Sequence, residues 1–209
     1  MGFADLSIKP PNIETLRDMV KTCRRLGYKI LAYEAEIANL REPPSFEGVK
    51  LVPRATVKGS TRGEVWEGIR LVKERFKRRV LVAVEPLSLE ALRYASVNKD
   101  VDIIRVNVDI IRFIDKSQAR LFRERGWGSL EFPLSTVLKG FGLKPLYDAV
   151  FRADSFDVNF IIVSDAESAM ELWSPPSIIG LLASMGVDRL KAVSWISSVP
   201  AYIVDRAGL

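Results

Sequence analysis

Residues 90–108 read EALRYASVNKDVDIIRVNV. Small and apolar residues suited to a helix run into Asn98-Lys99-Asp100, a turn signal, and an Ile/Val-rich strand follows. That strand is apolar at successive positions (Ile103, Ile104), which suits burial on both faces in a parallel sheet covered by helices. Two polar groups interrupt it, Arg105 and Asn107. They alternate with Ile104, Val106 and Val108, so they fall on one face. If that face lines a barrel, a guanidinium there needs a carboxylate partner or water. Glu85 and Glu131, on the flanking strands, are the candidates.

Outward from this stretch the same alternation repeats. Strands are predicted over 3–8, 29–34, 49–57, 80–86, 101–108, 129–135 and 158–165. Pro53 marks a bulge or an edge in the third. Helices are predicted over 13–26, 63–76, after Ser88, over 116–125, 144–153, 176–185 and 188–196, and a short AYIVD segment comes last. Asn12, Thr61 and Ser88 serve as N-caps, Gly27 and Gly126 as stops, and Thr61-Arg62-Gly63-Glu64 reads as a capping box. Seven strand–helix repeats predict an α/β fold, a TIM-like (β/α) barrel of about seven or more parallel strands within one domain, 1–209. An open doubly wound sheet is the structural alternative. No G-x-G-x-x-G or G-K-[ST] occurs, so dinucleotide and P-loop nucleotide binding lack their motifs. The loop at 41–48 is the best candidate for a mobile excursion.

Composition narrows the chemistry. The 209 residues contain no histidine and one cysteine, Cys23. Histidine-dependent triads, histidine phosphotransfer and the usual zinc sites are excluded, as is an internal disulfide. Cys23 reads as a buried spacer. No signal peptide, myristoylation motif or membrane span is legible, which points to a cytoplasmic protein. The net charge of +5 is unevenly spread. Residues 50–79 hold ten Lys/Arg against three acids and carry +7, leaving −2 for the rest. Within the helix 63–76, Val65, Ile69, Val72 and Phe76 face the core, while Arg70, Lys73 and Lys77 recur on another face. That stripe is either a solvated exterior or a phosphate-contacting surface. Lys58, Arg62, Arg70, Lys73, Lys77, Arg112, Lys116 and Arg120 are the candidates for binding a polyanionic partner, through phosphate contacts rather than base readout. No catalytic residue and no metal ligand is assigned. Glu34, Glu85, Asp109 and Asp165 are the strand-end acids that would hold Mg²⁺ without histidine, or that pair with arginines instead. Trp66, Trp127, Trp173 and Trp195 are expected to pack rather than to stack on bases.

At the fourth strand and beyond, the chain resembles a known family. RRVLVAVEPLSLEALRYASVNKDVDIIRVN, then FRERGWGSLEFPLS, then FIIVSDAESAMELWSPPSIIGLLASMGV, resemble in order and spacing the TIM-barrel protein subunit of ribonuclease P over roughly residues 79–205. Trp173 precedes Ser174-Pro175 where that family usually has an arginine. The resemblance implies a noncatalytic part in the ribonucleoprotein whose RNA removes the 5′ leader from precursor tRNA. It implies as partners the ribonuclease P RNA, protein component 2, other ribonuclease P proteins, and precursor tRNA through the holoenzyme. It thereby makes RNA the polyanionic partner of those Lys/Arg candidates. It implies no cofactor in this chain and Mg²⁺ for the RNA holoenzyme. The fold also resembles the polymerase and histidinol phosphatase superfamily of metallophosphoesterases, but Ser7 and Lys9 stand where that family's metal ligands would be.

Two functional rivals follow from the barrel itself, a carboxylate- and metal-dependent phosphoesterase and a small-molecule isomerase with a convergent polar pocket. Two apolar groups are candidates for a partner surface. One is Phe113, Leu121 and Phe122 around the helix 116–125. The other is Val137, Leu138, Phe141 and Tyr147 within 136–151.

Overall fold

The structure is a computed structural model that describes residues 2–34, 46, 48–77, 80–126 and 128–209. Its strands are β1 (Phe3–Ile8), β2 (Tyr28–Glu34), β3 (Lys50–Gly59), β4 (Leu81–Pro86), β5 (Ile103–Arg105), β6 (Ser129–Pro133) and β7 (Phe160–Val163). All seven pair in parallel in sequence order. The helices are α1 (Ile13–Leu26), α2 (Arg62–Phe76), α3 (Leu89–Val97), α4 (Lys116–Arg125), α5 (Lys144–Ser155), α6 (Pro175–Ser184), α7 (Arg189–Trp195) and α8 (Ser198–Arg206). The sheet curls until β7 meets β1. There the Asp165 N–H donates to the Ser7 carbonyl at 2.9 Å, and the Lys9 N–H to the Ala166 carbonyl at 2.7 Å. The result is a nearly closed TIM-like barrel, and the open-sheet alternative falls away.

The caps expected from sequence hold. The Asn12, Thr61 and Ser88 side chains each accept the N–H three residues on, and Gly27 and Gly126 end α1 and α4 with φ of 91° and 77°. Asp115, not among the expected caps, serves α4 in the same way. The Glu64 carboxylate accepts from Ser60 rather than from Thr61, one residue earlier than an ideal capping box.

Three elements differ from expectation, each for a local reason. β5 stops at Arg105 because the Asn107 side chain accepts from the Asp109 and Ile110 N–H groups and turns the chain. Pro53 makes no bulge: β2 and β3 stay in continuous register from Ile30↔Lys50 to Glu34↔Arg54, and pairing with β4 begins one residue after the proline. The AYIVD segment lies within α8, which places Ile203 and Val204 against Ala4, Leu6, Leu81, Ala83, Ile103 and Ile161. Those strand residues line the barrel's interior, so α8 plugs its N-terminal end with apolar side chains. The larger apolar layer lies between the sheet and the outer helices. The loop expected to be mobile falls mainly outside the described residues.

Candidate functional site

Above the apolar plug, toward the C-terminal ends of the strands, the interior changes character. Strand register sets acids directly beside bases: Glu34 opposite Arg54, Lys58 opposite Glu85, and Arg105 opposite Glu131. Arg54 is fully buried. Its guanidinium grips Glu131 through two bonds of 2.5 and 2.7 Å and donates to the Leu6 carbonyl at 2.6 Å. Thr56 links it sideways, accepting from Arg54 Nε and donating to Glu34.

Arg105 is the centre of the layer. Its guanidinium lies 2.6 Å from Asp165 Oδ2, 3.3 Å from Glu131 Oε1 and 3.7 Å from Glu85 Oε2. The two partners expected from sequence are therefore present, and Asp165, from a strand that is not a neighbour of β5, is nearer than either. Asp165 also accepts from Ser7, Lys9 and Ser135. It sits at φ 56°, a left-handed conformation that Asp tolerates better than most residues. Burial pushes the Asp165 carboxyl up, but the bonds and charges of Arg105 and Lys9 outweigh it and hold that carboxyl well below its usual range. Burial likewise opposes charge on Arg105, and Asp165, Glu131 and Glu85 more than restore it.

Asp5 behaves oppositely. Its carboxylate has no cation partner among the described residues and accepts from the Ser7 and Ser164 backbone N–H groups. Burial without a cation raises it to about 7.

The donors of this layer are already committed to one another. The point at which Glu85, Glu131 and Asp165 converge is taken by a guanidinium. The Ser7 hydroxyl and the Lys9 ammonium both bond to Asp165. Asp109 is exposed and outside the network, and among the described residues no group of three or more acids, Cys or His is arranged around a common point for a metal. The donor set does not fit a phosphoesterase metal centre.

The RNA-binding candidates form two columns on the exterior, with α3 packed between α2 and α4. Lys58 stands at the barrel mouth, 3.2 Å from Glu85. Arg62 lies over the Tyr94 ring. Arg70 is held by Glu67 and Glu74 and lies over Trp66, while Lys73 pairs with Asp100 at 2.7 Å. Lys77 ends α2 in an exposed left-handed turn. Arg112 lies over Phe113, Lys116 is exposed on the first turn of α4, and Arg120 pairs with Glu124. Such exposed pairs are weak and rearrange readily.

Arg54 leaves the surface count altogether, and Arg78 and Arg79 lie outside the described residues. Of the tryptophans, Trp195 is buried against Phe160, Trp173 is partly buried, and Trp127 lies outside the described residues. Trp66 departs from the packing expectation, being 54% exposed. Cys23 is buried as expected, with burial pushing its thiol up.

The two apolar candidates separate cleanly. Phe122 is buried, and Phe113 and Leu121 are partly so. Leu138, Phe141, Leu143, Tyr147 and Phe151 are instead all exposed along the turn before α5 and on α5 itself, where the Tyr147 and Phe151 rings stack.

Fold and site together define a TIM-like (β/α) barrel whose polar centre is occupied by its own ion pairs. The family model described as RNase P subunit p30 matches residues 2–209, and the chain belongs to that family. "Ribonuclease P protein component 3" of Aeropyrum pernix is 37% identical over 195 residues, covering 90% of this chain and 89% of that protein. A chain of an archaeal ribonuclease P solved by cryo-EM with mature tRNA superposes with a TM-score of 0.73 at 20% identity, covering 96% of this chain and 90% of that one. A Xaa-Pro dipeptidase crystallised with methionine in its active site superposes with a TM-score of 0.63 at 11% identity, covering 99% of this chain and 76% of that one. At these identities both structural likenesses speak for the barrel alone.

Proposed function

We propose that this chain is a noncatalytic subunit of ribonuclease P that binds RNA and a partner subunit and so supports 5′-leader removal from precursor tRNA. The observation that carries the reading is Arg105. In a member of this family, a guanidinium fills the place among Glu85, Glu131 and Asp165 where an enzyme of this fold would need an open site. The RNA contacts assigned to this chain are phosphate contacts by Lys58, Arg62, Arg70, Lys73, Lys77, Arg112, Lys116 and Arg120. Their excess charge replaces counterions around folded RNA and lowers its demand for Mg²⁺. The chain itself holds no cofactor in this reading, and Mg²⁺ serves the RNA.

The partner surface is the exposed face of α5, with component 2 as the occupant. Among the described residues no helix is long and apolar enough to cross a membrane, in keeping with work in the cytoplasm. The test is precursor-tRNA cleavage by protein alone, by RNA alone, and by RNA with this protein and component 2, across a Mg²⁺ titration. The expected result is cleavage at lower Mg²⁺ with the proteins and none by the protein alone. Cleavage by the isolated protein, abolished by Asp165→Asn, would instead establish the phosphoesterase reading.

A further inference from the structure

The barrel mouth holds a cleft of about 410 Å³ whose walls include Lys9, Lys58, Asn107, Ser135, Lys139 and Phe141. Its charges are layered. Asp165 is buried at the floor, and the Glu85 side chain is 16% exposed. The Lys9 and Lys58 side chains rise to 34% and 64% exposure. Arg105 already reaches Asp165 and Glu85 from below. Lys9 and Lys58 are therefore second cations on carboxylates that have a first. Lys139 is exposed and has no ion-pair partner among the described residues. The exposed acid of the lining is Asp109, set against three lysines in the same cleft, Lys9, Lys58 and Lys139. The mouth thus presents Lys9, Lys58 and Lys139 outward with Asp109 as its exposed acid, and keeps Asp165 and most of Glu85 buried.

One wall differs in kind. Phe141 ends the Val137–Phe141 turn, between Gly140 at φ 91° and Gly142 at φ 70°. Its ring is 59% exposed at the cleft's edge. The polar groups that might read a base edge are already engaged: the Asn107 amide donates to the Pro86 carbonyl and accepts from two backbone N–H groups, and the Ser135 hydroxyl donates to Asp165.

We infer that this cleft binds one nucleotide unit, with its phosphate on Lys58, Lys139 and Lys9 and its base stacked on Phe141, without preference for the base. A volume of this size falls in the range of small-ligand sites, and an aromatic face beside ammonium groups is the chemistry that holds unpaired nucleotides. The inference rests on the RNA-binding reading and adds a site to it. The unit is either a residue of an RNA strand or a free mononucleotide, since both carry the same phosphate and ring.

The experiment titrates the full chain with a fluorescent single-stranded RNA octamer, in oligo-U and oligo-A forms, and with UMP and AMP by calorimetry. The variants are Lys58→Gln, Lys139→Gln and Phe141→Ala, all at exposed positions, with melting temperatures confirming their folds. Phe141→Ala is expected to weaken binding about five-fold or more. Each lysine variant is expected to lower the log–log salt slope of octamer binding by about 0.7. Oligo-U and oligo-A should bind alike. An octamer much tighter than the mononucleotides assigns the site to a strand, and equal affinity assigns it to the free nucleotide.

Unchanged binding in all three variants would overturn the inference. So would loss of component 2 binding by Phe141→Ala with nucleotide binding intact. If octamer binding falls only when Arg70, Lys73 and Lys77 are reversed to Glu, the RNA-binding reading survives and this site does not. If the chain ignores ribonuclease P RNA yet binds mononucleotides at the mouth, the reading fails and the site stands.

Discussion

Replacing Arg54 with Met should be among the most damaging single changes available to this chain. The guanidinium is fully buried, so its loss cannot be made good by water. Four polar partners are affected: both Glu131 oxygens, the Leu6 carbonyl, Thr56 and Glu34. After the change, Glu131 keeps a single cation contact, Arg105 at 3.3 Å. Removing one partner of a buried ion pair costs roughly 3–5 kcal/mol, and this case belongs at about 5 kcal/mol, because a backbone carbonyl is orphaned as well. Arg105→Met is the calibrating comparison. There Glu131 retains Arg54, and Asp165 retains Lys9, Ser7 and Ser135, so about 3 kcal/mol is expected. The double variant Arg54→Met/Glu131→Leu removes both charges and should regain most of the loss. Urea unfolding followed by circular dichroism and tryptophan fluorescence gives all three values. A cost below about 1 kcal/mol for Arg54→Met, or one smaller than that for Arg105→Met, would refute the assignment of Arg54 as the interior anchor, since so small a cost is typical of an exposed pair.

Stability should also report on Asp5. Its folded value of about 7 lies above the ordinary 3.8, so the folded state binds the proton more tightly, and stability falls as pH rises between those values. Urea midpoints from pH 4 to 8 should show the decline, and Asp5→Asn should flatten this share of it. Asp165 acts with the opposite sign. Its depressed folded value stabilises the protein above the ordinary carboxylate range and is lost on acidification, so Asp165→Asn should lessen acid sensitivity in the same titration extended downward. Reversing Arg70, Lys73 and Lys77 to Glu should weaken binding of ribonuclease P RNA and lower its salt slope by about 0.7–0.9 per lost phosphate contact, read by filter binding at several salt concentrations; an unchanged slope would move the RNA surface off α2. Replacing Leu143, Tyr147 and Phe151 with Ser should abolish copurification with component 2 while leaving the melting temperature within a few degrees, because all three side chains are exposed.

The barrel was legible because strands with no polar face can be satisfied only between layers of helices, and seven such strands recur with short connections. The partners of Arg105 were half legible. Glu85 and Glu131 lie on neighbouring strands, so alternation along each strand predicts the meeting. Asp165 lies just past the end of β7, with β6 between that strand and β5, and its approach depends on the barrel's closure, which no local pattern encodes. The inward place of Arg54 was not legible for a related reason. In LVPRATV the residues around it are apolar on both sides, so nothing in the spacing separates an inward arginine from an outward one, and a charge count assigns it to the surface. Trp66 was within reach of the helical pattern: it sits one residue beyond Val65, about 100° around α2 from the core-facing row, where exposure follows from geometry. The end of β5 needed the Asn107 side chain's own hydrogen bonds, and those compete with the strand in a way that composition alone does not reveal.

The polar layer also bears on how seven strands close a barrel. Along the seam between β7 and β1 the backbone joins only near the mouth, through the Asp165 and Lys9 N–H groups. Lower down, the Ala4 N–H turns to the Ile196 carbonyl before α8, and the Asp5 carboxylate takes the Ser164 N–H of the facing segment. Side chains thus stand in for ladder bonds over much of this join. Asp165 ties the end of β7 to Ser7 and Lys9 of the β1 side, to Arg105 at the end of β5, and to Ser135 beyond β6. A carboxylate committed to so many fixed donors is a poor ligand for an exchanging metal or a reacting substrate, because each new contact must first break one that holds the seam. In this chain the residues at the classical position of barrel chemistry close the fold instead. On the proposed reading, what the molecule offers its partners lies above and outside that layer, in the lysines of the mouth, the basic columns on α2 and α4, and the apolar face of α5.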